Sequence, residues 1–173
     1  MAIDMFLVLK PKSGLPAFKA ETADATFARY VSIPVVNFAL GYAIPSVGAR
    51  LTFQNLNLVL NSVANSPGFL TMANLSQTFD SVTLYVRNTT GTTGALHVTS
   101  IYHFGNVRIA AVTMDGNTGD NAPVVNLSLN FTQFAHHGSS TGATGVVTSG
   151  LVGTADLNTV QWSEPALDGP GWV

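Results

Sequence analysis

The chain has 173 residues and a mass of 18.1 kDa, the size of one domain and long enough to bury a sizeable core. Only 9% of residues are charged, against about 25% in an average globular domain, and Lys plus Arg at 7 against Asp plus Glu at 9 leaves a formal charge of −2. These values exclude a basic nucleic-acid binder and an acidic solvating tail; a hydrophobic content of 46% with ten Phe excludes a disordered chain, and zero cysteines exclude disulfides and thiolate sites.

The wet surface must therefore be built from Ser, Thr, Asn and Gly, whose neutral groups cost far less to desolvate than charges. Such a surface suits contact with other protein. At the N-terminus, Asp4 stands where a signal peptide carries Lys or Arg, and the apolar run 5–9 ends at Lys10. That is too short for a secretory core, so the expectation is a chain without a cleaved leader. No window approaches the ~20 apolar residues of a membrane helix, so no membrane insertion is expected.

Period-two alternation runs through the sequence. Strand-like stretches fall at 5–9, 30–40 and 50–60, with Pro34 marking a bulge or edge in the second. The segment 41–48 between the last two is apolar for a loop: Gly41, Tyr42, Ile44, Pro45, Val47 and Gly48. Ser66 at an N-cap and Pro67 at N1 open a short helix with Phe69, Met72, Ala73 and Leu75 on one face. Val82, Leu84 and Val86 then alternate with Thr83, Tyr85 and Arg87, and the loop 88–94 turns this strand into a longer run, 96–113, bent at Gly105-Asn106.

The clearest strand starts at Val124 and runs to Phe134. Val125, Leu127, Leu129 and Phe131 form its core face, and Asn126, Ser128, Asn130 and Thr132 an uncharged face suited to burial against another subunit. The tail from His137 onward reads as looser. Seven or more strands with one helix describe a mainly β chain, a barrel or a sandwich, in a single domain over 1–173.

Catalytic constellations are missing. His97 and His103 lie an even number of residues apart, which places both on one side of a strand, and His136 and His137 point oppositely; with no carboxylate at a fixed spacing they make a weak metal signal. Asp and Glu are scattered singly, and nucleophile-elbow, zinc-protease and P-loop motifs are lacking. The sequons at Asn74, Asn88, Asn126 and Asn130 read as chance, since two fall inside the strongest strand. No enzyme activity, metal or cofactor is expected.

The order of these segments resembles the haemolysin-coregulated protein (Hcp) family, the tube subunits of bacterial type VI secretion systems. The resemblance is carried by Met1-Ala2-Ile3-Asp4-Met5-Phe6-Leu7, by the stretch from Gly48 to Leu56 with Gln54-Asn55-Leu56, by the Ser66-Pro67 helix, by Val82 to Arg87, and by Leu127 to Phe131 with Gln133. It covers about 1–134; the region 138–173 does not align. The resemblance implies a small β-barrel of two packed antiparallel sheets with one helix. It implies homohexameric rings stacked into a hollow tube, with sheath, spike and effector proteins as partners. It also implies assembly in the bacterial cytoplasm and export without a signal peptide, and it makes 41–48 the loop that joins stacked rings. Two alternatives stand beside it. One is a phage-tail-tube-like or filament-forming relative; the other is a β-sandwich carbohydrate- or ligand-binding module with Trp162, Trp172, Tyr42, Tyr85 and Tyr102 as its aromatic platform.

Overall fold

The alternating stretches form antiparallel strands in a computed structural model that describes residues 3–14, 17–43, 46, 52–90, 95–116, 123–141 and 147–156. In chain order the elements are β1 (Ile3–Pro11), β2 (Ser32–Ala39), β3 (Tyr42–Ala43), β4 (Thr52–Phe53), β5 (Leu56–Leu60), α1 (Ser66–Asn74), β6 (Thr78–Thr90), β7 (Ala95–Asp115), β8 (Val124–Asn130), β9 (Gln133–Thr141) and β10 (Val147–Asp156). Six strands pair in the order β7–β6–β1–β2–β5–β8, and β8 returns onto β7, closing a barrel. Closure satisfies the backbone groups that an open sheet would leave along its edges.

β7 is long enough, at 21 residues, to serve two neighbours on one side. Its residues 108–115 pair with β8 and its residues 100–105 with β9, so β9 and β10 leave the barrel as an arm of the same sheet. The handover falls at Gly105-Asn106, as the sequence anticipates. Asn106 takes φ +51° there, and a Cβ on Gly105 would collide with the Gln133 side chain. The partner strand breaks at the same place. Contrary to the expected continuous strand, β8 ends at Asn130, and Thr132 bonds to the handover instead, its N–H to the Gly105 carbonyl at 3.4 Å and its hydroxyl from Asn106 Nδ2 at 3.1 Å.

The barrel interior is filled by Leu7, Leu9, Ile33, Leu58, Leu84 and Leu127, among others, and α1 adds Phe69 and Met72. Phe18 bridges helix and sheet, with ring centroids 5.1 Å from Phe69 and 5.5 Å from Phe79. Two details of the helix differ from expectation. Asn65, not Ser66, is the N-cap and makes no side-chain cap bond; Glu21 Oε1 instead accepts from the Asn65 N–H at 2.8 Å and Nδ2 at 2.7 Å and from the Ser62 hydroxyl at 2.9 Å, bringing a carboxylate to the helix start. Leu75 falls just past the last turn and is 54% exposed rather than on the packed face.

β6 is buried on both faces, although its Thr83, Tyr85, Arg87 face alternates as a polar one. A second cluster of Phe6, Val8, Phe27, Tyr85, Val98 and Ile101 covers it, with Phe27 supplied by the segment before β2. The apolar stretch 50–60 divides at Gln54-Asn55 into β4 and β5, and the tail expected to be loose forms the β9–β10 hairpin over Gln133–Thr141 and Val147–Asp156. Pro34 sits next to a bulge, the register shift between Val35 and Asn37. Among the described residues, no helix is long and apolar enough to cross a membrane.

Candidate functional site

The strand register builds one outward wall from four strands. Cross-strand pairs align Asn37, Val59, Asn126 and Thr113 in one row and Ala39, Asn57, Ser128 and Ala111 in the next. These rows form a shallow depression. Asn130 stands beside Arg108 at one end and Val124 beside Asp115 at the other, so charge is confined to the two ends of the wall. The amides are tied to one another: Asn55 Nδ2 donates to Ser128 Oγ at 3.1 Å, and Asn130 Nδ2 to Asn55 Oδ1 at 3.3 Å. Asn126 and Ser128 are half-buried and Asn130 exposed. Thr132 lies beyond the end of β8 and does not continue their row. Behind the wall, Leu127, Leu129 and Phe131 are 2%, 0% and 3% exposed.

At one end of the barrel, β3 and β4 form a separate two-stranded ribbon. The Gln54 N–H donates to the Gly41 carbonyl at 2.8 Å, and the Thr52 hydroxyl to the Ala43 carbonyl at 3.0 Å. Phe53 anchors the ribbon in an aromatic cluster, 5.5 Å from Phe131 and 4.9 Å from Phe134. Tyr42, 6.1 Å from Phe53, is 71% exposed. This ribbon is the base of segment 41–48; Ile44, Pro45, Val47 and Gly48 lie outside the described residues.

Sequence reasoning missed an ionic clasp. The Arg87 side chain is 8% exposed, and its Nη2 donates to Asp24 Oδ2 at 2.7 Å and to Asp4 Oδ2 at 3.1 Å. Its guanidinium carbon lies 5.0 Å from the Phe6 ring centroid and 5.7 Å from that of Phe27. Bonding to Arg87 holds the Asp24 carboxyl below its ordinary range, against the opposing effect of burial; burial lowers the Arg87 pKa, but the bonds to Asp24 and Asp4 outweigh it and leave it raised. The clasp fastens segment 17–31 over the second cluster. One cation, Arg87, placed in line with Tyr85 in the alternating run 82–87 was the available signal.

The histidines do not converge. A register shift between Val86 and Arg87 in the β6–β7 ladder puts His97 opposite Asn88 and His103 opposite Thr83, on opposite faces rather than the expected same one. His103 is fully buried, its Nδ1 3.3 Å from the Thr83 hydroxyl. His136 stacks on Tyr102 at 4.3 Å with ring planes 2° apart, and its pKa is lowered by burial and then by neighbouring His137. No group of three metal-ligating side chains occurs among the described residues. Of the aromatic platform of the binding-module alternative, Tyr85 is fully buried and Tyr42 71% exposed, Tyr102 is half-buried against His136, and Trp162 and Trp172 lie outside the described residues.

No family model and no curated protein sequence matches the chain. Solved structures do. A structure described as a type six secretion system protein is similar over 92% of this chain and 99% of its own, with a TM-score of 0.78 at 16% identity. Hcp1 from Salmonella typhimurium is similar over 91% and 97%, with a TM-score of 0.69 at 18% identity. The secreted protein Hcp3 from Pseudomonas aeruginosa is similar over 90% and 98%, with a TM-score of 0.65 at 11% identity. The closed six-stranded barrel, helix α1 and the β9–β10 arm together have the fold of the Hcp proteins of type VI secretion systems.

Proposed function

We propose that this chain is a structural tube subunit of a type VI secretion system, forming homohexameric rings that stack into a hollow tube through which effectors are delivered. The observation that carries the reading is the fold likeness, which spans 97–99% of the type VI secretion chains compared. The neutral wall of Asn126, Ser128 and Asn130 with Asn57 and Thr113 supports it, because such a surface desolvates cheaply against an identical copy. A ring closes through head-to-tail contacts between copies. Sheath, spike and effector proteins are the partners this role requires, and export follows ejection of the tube.

In this reading the ribbon of Tyr42 and Phe53 carries segment 41–48 toward the next ring, where Ile44 and Val47 dock as a small apolar contact stiffened by Pro45. Electron microscopy of the double variant Ile44→Asp with Val47→Asp tests it. Soluble single rings that no longer elongate are expected, since only the ring-to-ring surface must then bury charge. Tubes of unchanged length would remove the loop from stacking, and unfolded protein would mean that the loop caps its own barrel.

A further inference from the structure

Barrel closure still leaves several backbone edges uncovered among the described residues, the β3–β4 ribbon included, and two of them are stretches of the main sheet. The first is the outer edge of β10, which pairs with β9 alone. The second is a splay between β1 and β2. Their pairing stops at Phe6 opposite Pro34; beyond it β1 continues to Ile3 against β6 alone, while β2 bulges at Val35–Asn37 and continues to Ala39 against β5 alone. Residues 3–5 and 36–39 thus each present one free strand edge. Two of the most exposed apolar side chains flank this opening, Ile3 at 59% and Val36 at 56%.

Edge strands of monomeric proteins are guarded by Lys, Pro or inward charges, and unguarded ones recruit another strand. β10 spans ten residues with no Lys, Arg or Pro, and its one charge, Asp156, is at its very end. Its regular stretch is 152–156, after the register shift between Ser149 and Val152. We propose that the β10 edge over 152–156 adds as a strand to the β1–β2 splay of a second copy of this chain, covering Ile3 and Val36. Donor edge and acceptor splay are different surfaces of one molecule, so the contact is head-to-tail and propagates around a ring instead of ending in a dimer. An identical copy is the occupant because the chain carries both halves of the contact, and because the splay's charged residue, Asp4, is already bonded to Arg87. The inference rests on the ring reading and assigns the surfaces that close it.

The absence of cysteine permits a clean cross-linking test. Val36→Cys is combined in turn with Ser149→Cys, Val152→Cys or Thr154→Cys, and each protein is oxidised at assembling concentration. At least one pair is expected to give a ladder of covalent oligomers that stops at a closed size, with none from the single-cysteine variants. Amide exchange on the unmodified protein gives a second readout: in the assembly, successive amides of 152–156 are all slow, whereas a free edge leaves every second one fast. No ladder and alternating exchange in a protein whose mass is multimeric would overturn the β10 contact and leave the ring reading standing. Dimers from Thr154→Cys alone would show β10 pairing with itself and overturn the head-to-tail geometry. A monomeric unmodified protein would overturn both.

Discussion

Replacing Arg87 by Met keeps the bulk of the side chain between Phe6 and Phe27 while removing the charge that joins Asp4 and Asp24. Removing one partner of a fully buried ion pair costs about 3–5 kcal/mol, because the remaining charge is stranded in a poor solvent. Here the stranded group is Asp24, whose side chain keeps 19% exposure, and Asp4 at 44% regains water readily. The Asp4 leg therefore contributes little, and the expected loss is about 2–4 kcal/mol, a large part of the 5–15 kcal/mol by which a domain of this size is stable. With a urea slope near 2 kcal/mol/M, the unfolding midpoint should fall by about 1–2 M. Adding Asp24→Asn should restore part of the loss, since no carboxylate is then left unpaired; contacting residues are non-additive in this way. Limited proteolysis should first cut Arg87→Met within segment 17–31, which Asp24 and Phe27 fasten to the sheet. A midpoint shift below about 0.3 M, or a double variant as unstable as the two single losses summed, would refute the clasp as the fastening of that segment.

Phe131→Ala should cost about 3–5 kcal/mol in denaturant titration, because Phe131 is 3% exposed and lies 4.8 Å from Phe104 and 5.5 Å from Phe53; Asn130→Ala on the outer wall should leave the midpoint within about 0.5 kcal/mol of the parent. His136 offers a pH signature. Its folded pKa is below the unfolded value, so the unfolded chain binds the proton first as pH falls, and the stability it contributes at neutral pH is lost below about 6.5. His136→Phe, which preserves stacking on Tyr102, should lose less stability between pH 7.5 and 5 than the parent, and equal losses would show that His136 does not carry this dependence.

Barrel and helix were legible because alternation with β-branched and aromatic residues reports a sheet with a wet face, as in Val124–Asn130, and because Ser66-Pro67 opens a helix. Failures came where that premise broke. β6 has no wet face, since Phe27 arrives from a segment with no periodicity and covers Tyr85 and Arg87. The opposed placement of His97 and His103 depends on one register shift, and a single extra residue moves every later side chain to the other face. The β9–β10 hairpin was hidden because Gly138, Ser139, Ser140, Ser149, Gly150 and Gly153 interrupt apolar alternation, and its place is set by backbone pairing of β9 with β7 and of β10 with β9. The outer wall could be read from composition, since a chain with 9% charged residues has little except amides and hydroxyls to place there.

The tube reading is tested most directly by the mass of the particle in solution, measured by light scattering after size exclusion at low and at high salt. Six copies of 18.1 kDa give about 109 kDa, and the account predicts that mass or its stacked multiples, unchanged by salt because the wall has few ion pairs to screen. A monodisperse particle of 18.1 kDa at tens of micromolar would contradict it.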